Sequence, residues 1–298
     1  MKLGYPCINL TLDCRSSRTF RLKNYSKERL KKIIEENLNC LQKILEFNRN
    51  NKILFFRITS DLIPFASHPV LDFEWKEHFK TTFEDLGAFI MKNKMRITMH
   101  PGQYTVLNSI TKKVYENSLK ELIYHVDVLD SMNLDSTAKV QIHVGGVYGD
   151  KNASMKRFIS RYFKLDNKIK NRLVIENDDK SYSLNNCLEI NEKTGTPIIF
   201  DIYHHQCNNS GEQIKEAFEN ISNTWKETDG IPIVHYSSEH PIKSKPTHAD
   251  TIDLKHFKNF IKLTKNFNFD LMLEIKDKEI SALKALEIIT NDERFLKN

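Results

Sequence analysis

The sequence predicts an α/β fold, a single (β/α)8 TIM barrel, and three observations carry that prediction. Short aliphatic and β-branched runs alternate eight times with segments of helical periodicity. The 298 residues include only nine Gly and eight Pro, with no linker-like stretch, so one domain over 1–298 is expected. The strand-like runs end repeatedly in His, Asp or Glu, as at Met99-His100-Pro101-Gly102-Gln103-Tyr104, where Pro101 and Gly102 break the pleat. An open doubly wound sheet gathers ligands at one switch point, whereas a barrel collects them from many strand ends, so this third observation selects the barrel.

Taken in order, residues 2–10 read as the first strand. Tyr25-Ser26 then cap 27–47, where Leu30, Ile33, Ile34, Leu38, Leu41, Ile44 and Leu45 keep a helical spacing. A second strand is expected at 53–58, a helix at 75–92, and a third strand ending at His100. Helices at 113–132 and 153–163 flank a strand at 138–143, and a fifth strand follows at 173–176. The second half repeats the pattern: helix 184–193, strand 197–201, helix 211–224, strand 231–235, helix 254–265, strand 271–274 and a closing helix at 281–290.

Composition narrows the setting. The formal charge of +6 is a mild bias towards polyanions, since much of the lysine excess falls on helix-like segments. Cys7, Cys14, Cys40, Cys187 and Cys207 show no CxxC and no even framework, so buried thiols in a reducing compartment are expected. The chain enters at Lys2-Leu3-Gly4-Tyr5-Pro6 without a charged-then-apolar leader, and no apolar stretch approaches bilayer length. A soluble cytoplasmic protein without a membrane partner is the expectation.

The chemistry lies at the strand ends: His100, His143, Glu176, Asp201 with His204, His235, His248 and Glu274. Imidazole nitrogen and carboxylate oxygen are the donors of Zn and Mn sites, and one carboxylate can bridge two ions. Ile175-Glu176 and Phe200-Asp201 each put a charge directly after a buried-type residue, which demands a cation or a partner. A lone histidine of this kind is more often a satisfied structural residue; eight such groups at one end of consecutive strands are more economically one multinuclear metal site. His78, His125, His240 and His256 are read as structural, and His205 is left open. Several ions with such ligands serve phosphodiester hydrolysis or aldose–ketose isomerisation.

Gly4-Tyr5 with Asn9, Ser67-His68-Pro69, His100-Pro101-Gly102-Gln103-Tyr104, His143-Val144-Gly145-Gly146, Glu176-Asn177-Asp178, Asp201-Ile202-Tyr203-His204-His205, His235-Tyr236-Ser237-Ser238, His248-Ala249-Asp250 and Glu274-Ile275-Lys276 occur in that order. Through this ordered set the chain resembles the ultraviolet damage endonucleases, relatives of endonuclease IV in the xylose-isomerase-like barrel superfamily. The resemblance implies that Glu176 bridges two ions, one also held by His100 and His143, the other by Asp201, His235 and Glu274. His204 and His248 would hold a third, with manganese the usual preference and zinc or magnesium as alternatives. It implies incision of damaged double-stranded DNA immediately 5′ of a pyrimidine dimer or (6-4) photoproduct, by in-line hydrolysis without a protein nucleophile or an obligate protein partner.

By the same resemblance Gln103 and Tyr104 enter the duplex where the damaged bases turn out, which is physically reasonable because a fused dinucleotide stacks poorly and flips at lower cost. Tyr5 and Asn9 would lie near the flipped lesion, although core packing of Tyr5 competes. His68 would reach the scissile phosphate or only stabilise its loop, and Lys276 would contact a phosphate or remain solvated. One position departs from the family pattern: a lysine is common two residues before the histidine matching His235, and Ile233 stands there, with Lys243 or Lys245 as nearby substitutes. An abasic-site endonuclease of the endonuclease IV type, a sugar isomerase and a lesion-binding protein with weakened catalysis are the other readings.

Overall fold

The computed structural model describes residues 1–295. Eight short parallel strands close into a barrel in chain order: β1 (Leu3–Cys7), β2 (Phe55–Ile58), β3 (Arg96–Met99), β4 (Lys139–His143), β5 (Leu173–Glu176), β6 (Ile198–Asp201), β7 (Ile233–Tyr236) and β8 (Asp270–Leu273), with β8 pairing back onto β1. The expected barrel is therefore the observed fold. The helices outside it are α1 (Lys27–Asn50), α2 (Trp75–His78), α3 (Lys80–Lys92), α4 (Lys112–Ser131), α5 (Lys151–Tyr162), α6 (Asn167–Arg172), α7 (Leu184–Thr194), α8 (Ile202–Cys207), α9 (Ile214–Ser222), α10 (Leu254–Leu263) and α11 (Glu279–Ile289). Among the described residues no helix is long and apolar enough to cross a membrane.

Helix α1 shows how sequence sets each outer element. The Ser26 hydroxyl accepts from the Arg29 amide, satisfying a donor that the first helical turn leaves free. The Leu30, Ile34, Leu38, Leu41 and Leu45 stripe is buried. Burying such a stripe contributes about 2 kcal/mol per leucine or isoleucine relative to leaving it in water.

Because side chains alternate along a strand, residues two apart face the same way, and the inward positions stack in three layers. Arg96, Thr98 and His100 form one such column; Lys139, Gln141 and His143 another; Asp270, Met272 and Glu274 a third. At the base, Arg96 pairs with Asp270 at 3.1 Å inside the barrel wall, and the buried Lys139 pairs with the partly exposed Asp229. Above them Phe55, Val174, Ile199, Ile233 and Met272 make an apolar layer with Trp225. Two residues further along the same strands stand Arg57, Glu176, Asp201, His235 and Glu274, at the carboxyl mouth.

Several boundaries differ from expectation. The 75–92 helix breaks into α2 and α3 at Phe79, and α6 and α8 are additional short helices. Aspartates open both additions: Asp166 accepts from the Lys168 amide and Asp201 from the His204 amide. The cysteine expectation needs correction, because Cys14 and Cys40 form a disulfide that ties the loop after β1 to α1. Their separation of 26 residues carries no spacing motif; only the return of that loop onto the helix brings the Cα atoms to 5.7 Å. Cys7, Cys187 and Cys207 are free thiols, of which Cys187 alone is buried.

Candidate metal centre

Each predicted ligand on a barrel strand stands at or just past the end of that strand. His143, Glu176 and Asp201 are the last residues of β4, β5 and β6, while His100 and Glu274 follow β3 and β8 by one residue. His235 lies next to last in β7, its side chain fully buried. The hydrogen-bonded register sets His143 beside Glu176 and Asp201 beside His235, so strand pairing itself brings the ligands together.

Two sets of donor atoms converge, and Glu176 belongs to both: His100, His143 and Glu176, and Glu176, Asp201, His235 and Glu274. Its Oε2 lies 3.8 Å from the Nε2 atoms of both His100 and His143. Its other oxygen, Oε1, lies 2.8 Å from His235 Nδ1. Ligand bonds of about 2.0–2.2 Å place neighbouring donors about 3–4 Å apart, so these spacings suit a divalent ion. Among the described residues the buried Asp201 Oδ2 has no hydrogen-bond partner, a costly arrangement that a cation would relieve. The described residues therefore fit a metal.

His204 and His248 extend the site. His204 Nδ1 meets the Asn177 carbonyl at 3.0 Å and His248 Nδ1 meets the Glu274 carbonyl at 2.8 Å. Carbonyls accept only, so these bonds place a proton on each Nδ1 and make Nε2 the atom that can ligate once it carries no proton. The rings of His143 and His204 lie 5.7 Å apart, and those of His204 and His248 lie 6.0 Å apart.

The electrostatics follow from packing carboxylates against imidazoles away from water. Burial pushes Glu176 up, yet His235, His143 and His100 together hold its carboxyl well below the usual range. Asp201 goes the other way: burial raises it, and Glu176 and Glu274 add to that against the pull of His204 and His235. His100 falls to about 3 because burial disfavours its charged form, against the pull of Glu176. His204 rises to about 9: burial opposes protonation, but Asp201, Glu176 and Glu274 outweigh it.

A further set of side chains fixes His100. The Ser60 hydroxyl donates to the His100 carbonyl at 2.5 Å and faces His125 Nε2 at 3.0 Å, while His125 Nδ1 donates to the Glu121 carbonyl. Burial lowers His125 to about 4. An unfolded histidine takes up its proton near pH 6.5, so between about pH 6.5 and 4 the unfolded chain binds more protons and this stability is lost as pH falls. Accordingly, His125→Gln should shrink the drop in Tm between about pH 7 and 4.5; an unchanged drop would show that another group carries it.

The DNA-facing expectations divide. Gln103 and Tyr104 are exposed on the loop after β3, Tyr104 at 63%. A Cβ on Gly102 would collide with the Tyr104 ring, so glycine lets the ring fold over the loop. Gln103 also lines a cavity of about 310 Å³ together with His100, His143, Gly146 and Tyr148. Tyr5 and Asn9, by contrast, are buried: the Tyr5 hydroxyl donates to Asn48 Oδ1 and accepts from Asn9 Nδ2, and Asn9 Oδ1 accepts from the Thr11 and Leu12 amides. Their polar groups are satisfied within the wall, as the packing reading of Tyr5 expects.

His68 is exposed and contacts Phe65 and Val70, in a groove that also holds Tyr124 and Asp127. Lys276 pairs with Asp250 at 2.7 Å, and Asp250 also meets His240 at 3.1 Å. Ile233 lies in the apolar layer, and Lys245 pairs outside with Glu239. The cation beside His235 is instead Arg57, from β2, which sequence reading missed. Its only signal is an arginine inside the apolar run Ile53-Leu54-Phe55-Phe56-Arg57-Ile58. Tyr148 was missed too; its backbone has φ of +52° and its ring carries the Arg157 guanidinium at 5.4 Å.

A closed (β/α)8 barrel with two carboxylate–histidine sets at its carboxyl mouth defines a barrel that could hold metal there. Endonuclease IV from Thermus thermophilus shares the fold, with a TM-score of 0.61 at 11% identity over 97% of this chain and 98% of that one. The chain belongs to the UV-endonuclease UvdE family, whose model matches residues 1–294, and is thus an enzyme of the endonuclease class. The UV DNA damage endonuclease of Clostridium perfringens is 41% identical over 300 residues, spanning 100% of this chain and 73% of that protein. The crystal structure of SacUVDE matches with a TM-score of 0.93 and 45% identity, over 97% of this chain and 98% of that one.

Proposed function

We propose that this chain is a metal-dependent DNA repair endonuclease that incises the phosphodiester bond immediately 5′ of ultraviolet lesions, leaving a 3′-hydroxyl and a 5′-phosphate. Cyclobutane pyrimidine dimers and (6-4) photoproducts are its proposed lesions, and damaged duplex DNA its partner. The observation that carries the reading is the double membership of Glu176, one oxygen turned to His100 and His143 and the other to His235. Family membership supplies the class of reaction.

Three divalent ions are proposed, manganese foremost: one with His100, His143 and Glu176, one with Glu176, Asp201, His235 and Glu274, and one near His204 and His248. When bound, such ions activate water and neutralise charge on the phosphate and its leaving oxygen. The protein's part is to keep Glu176 ionised, to present imidazole lone pairs by fixing His204 and His248 through backbone carbonyls, and to hold the whole set on rigid strand ends. Gln103 and Tyr104 are proposed to fill the gap left by an extruded lesion, with selectivity arising from the lower cost of unstacking damaged bases. Lys276 reaches a phosphate in this reading by exchanging Asp250 for it, and His68 is proposed to reach the scissile phosphate or to stabilise its loop.

The test uses end-labelled duplexes carrying one pyrimidine dimer, one abasic site or no damage, with metal-stripped protein refilled with manganese. A nick immediately 5′ of the dimer, absent from undamaged duplex, is the expected result. Nicking at the abasic site alone would move the protein to the endonuclease IV type of reaction, and tight binding without a nick would make it a lesion-binding protein.

A further inference from the structure

We infer that Arg57 is a built-in cation held against Glu274 and His235 at the edge of the Glu176–Asp201–His235–Glu274 site, and that it must leave His235 when a divalent ion binds. The inference rests on the metal-site reading above and concerns the order in which that site fills. Arg57 is 5% exposed, and its Nη2 lies 2.6 Å from Glu274 Oε1 and 3.0 Å from His235 Nε2. The arginine therefore supplies the positive charge that this carboxylate pocket otherwise obtains from an ion.

Hydrogen-bond accounting makes the two cations exclusive. A guanidinium only donates, so His235 Nε2 must accept from Arg57, which puts the ring proton on Nδ1. That proton is donated to Glu176 Oε1 at 2.8 Å. Yet Nδ1 is the atom aimed into the ligand set, 3.3 Å from Glu274 Oε1 and 3.9 Å from Asp201 Oδ2. To ligate, His235 must carry its proton on Nε2, and two donors would then face each other across 3.0 Å. Arg57 must leave that contact. Among the described residues its own buried Nε has no hydrogen-bond partner. Arg57 is thus a positioning residue that pre-shapes Glu274 and holds His235 in the tautomer opposite to the ligating one.

The experiment titrates the metal-stripped full chain with Mn2+ by calorimetry, comparing wild type with Arg57→Met and Arg57→Lys. Competition of this kind typically couples two ligands by about 5- to 150-fold, so Arg57→Met is expected to bind the weaker equivalent at least about tenfold more tightly. Arg57→Lys, which keeps the charge without the fork, should fall between. The tautomer gives an independent readout: nitrogen NMR of the histidine rings should show His235 protonated on Nδ1 in metal-free wild type and on Nε2 after loading with diamagnetic Zn2+. Equal or weaker Mn2+ binding by both variants, or an Nε2 proton in the metal-free protein, overturns the inference while leaving the metal site standing. Wild type that binds no Mn2+ at millimolar concentration overturns both. If Arg57→Met does not fold, Arg57→Lys and the tautomer decide.

Discussion

Glu176→Gln should abolish incision, by at least about a thousandfold, while the barrel remains folded. Both donor sets lose their shared ligand, because an amide keeps one acceptor oxygen and replaces the other with a donor, and the net charge that attracts the ions disappears with it. Oε1 now accepts from His235 and Oε2 from Gln141 Nε2 at 3.0 Å, so the amide would also face a donor on one side. Incision kinetics, manganese stoichiometry and a thermal melt, taken together, check this. An active variant with normal metal content would remove Glu176 from the centre of the proposed chemistry.

The second large effect is expected from Gln103→Ala combined with Tyr104→Ala. Stacking against a base contributes about 1–3 kcal/mol, so loss of the pair should lower kcat/KM on a dimer-containing duplex by about a hundredfold. Metal content and Tm should hardly change, since both side chains are exposed and neither belongs to a ligand set. The comparison that matters is between lesion and undamaged duplex. Selectivity retained at full rate in the double variant would assign lesion sensing to another element of the mouth, with Tyr148 the nearest aromatic candidate.

The two substitutions probe parts of the molecule that were unequally visible in its sequence. Glu176, Asp201 and His235 were legible because a charge following an apolar strand run has few affordable uses, and strand register then does the assembling. The barrel was legible from alternation of period alone. What escaped notice depended on partners distant in the chain. Arg57 looks like a misplaced charge until the closed barrel sets it against Glu274, 217 residues away. The hydrogen bonds that join Asn9 to Tyr5 and Tyr5 to Asn48 on α1 likewise cross a distance in the chain that no local pattern shows. Cys14 and Cys40 became a pair only through the fold of the loop between them and the barrel. Short helices such as α8 were missed because six residues are too few to show a period, though Asp201 marks the start of one.

The layered interior has a bearing on how this protein can change over generations. Its ionic base, Arg96 with Asp270 and Lys139 with Asp229, and its ligand-bearing mouth share strands but not contacts, with the ring of Phe55, Val174, Ile199, Ile233 and Met272 lying between. Drift at the base alters how firmly the barrel is closed, and buried ion pairs of that kind are often replaceable by well-packed apolar groups at little loss. Drift at the mouth alters what the protein does. A lineage, or an engineer, is thus free to adapt the same scaffold to heat or cold from below while leaving its repertoire above intact.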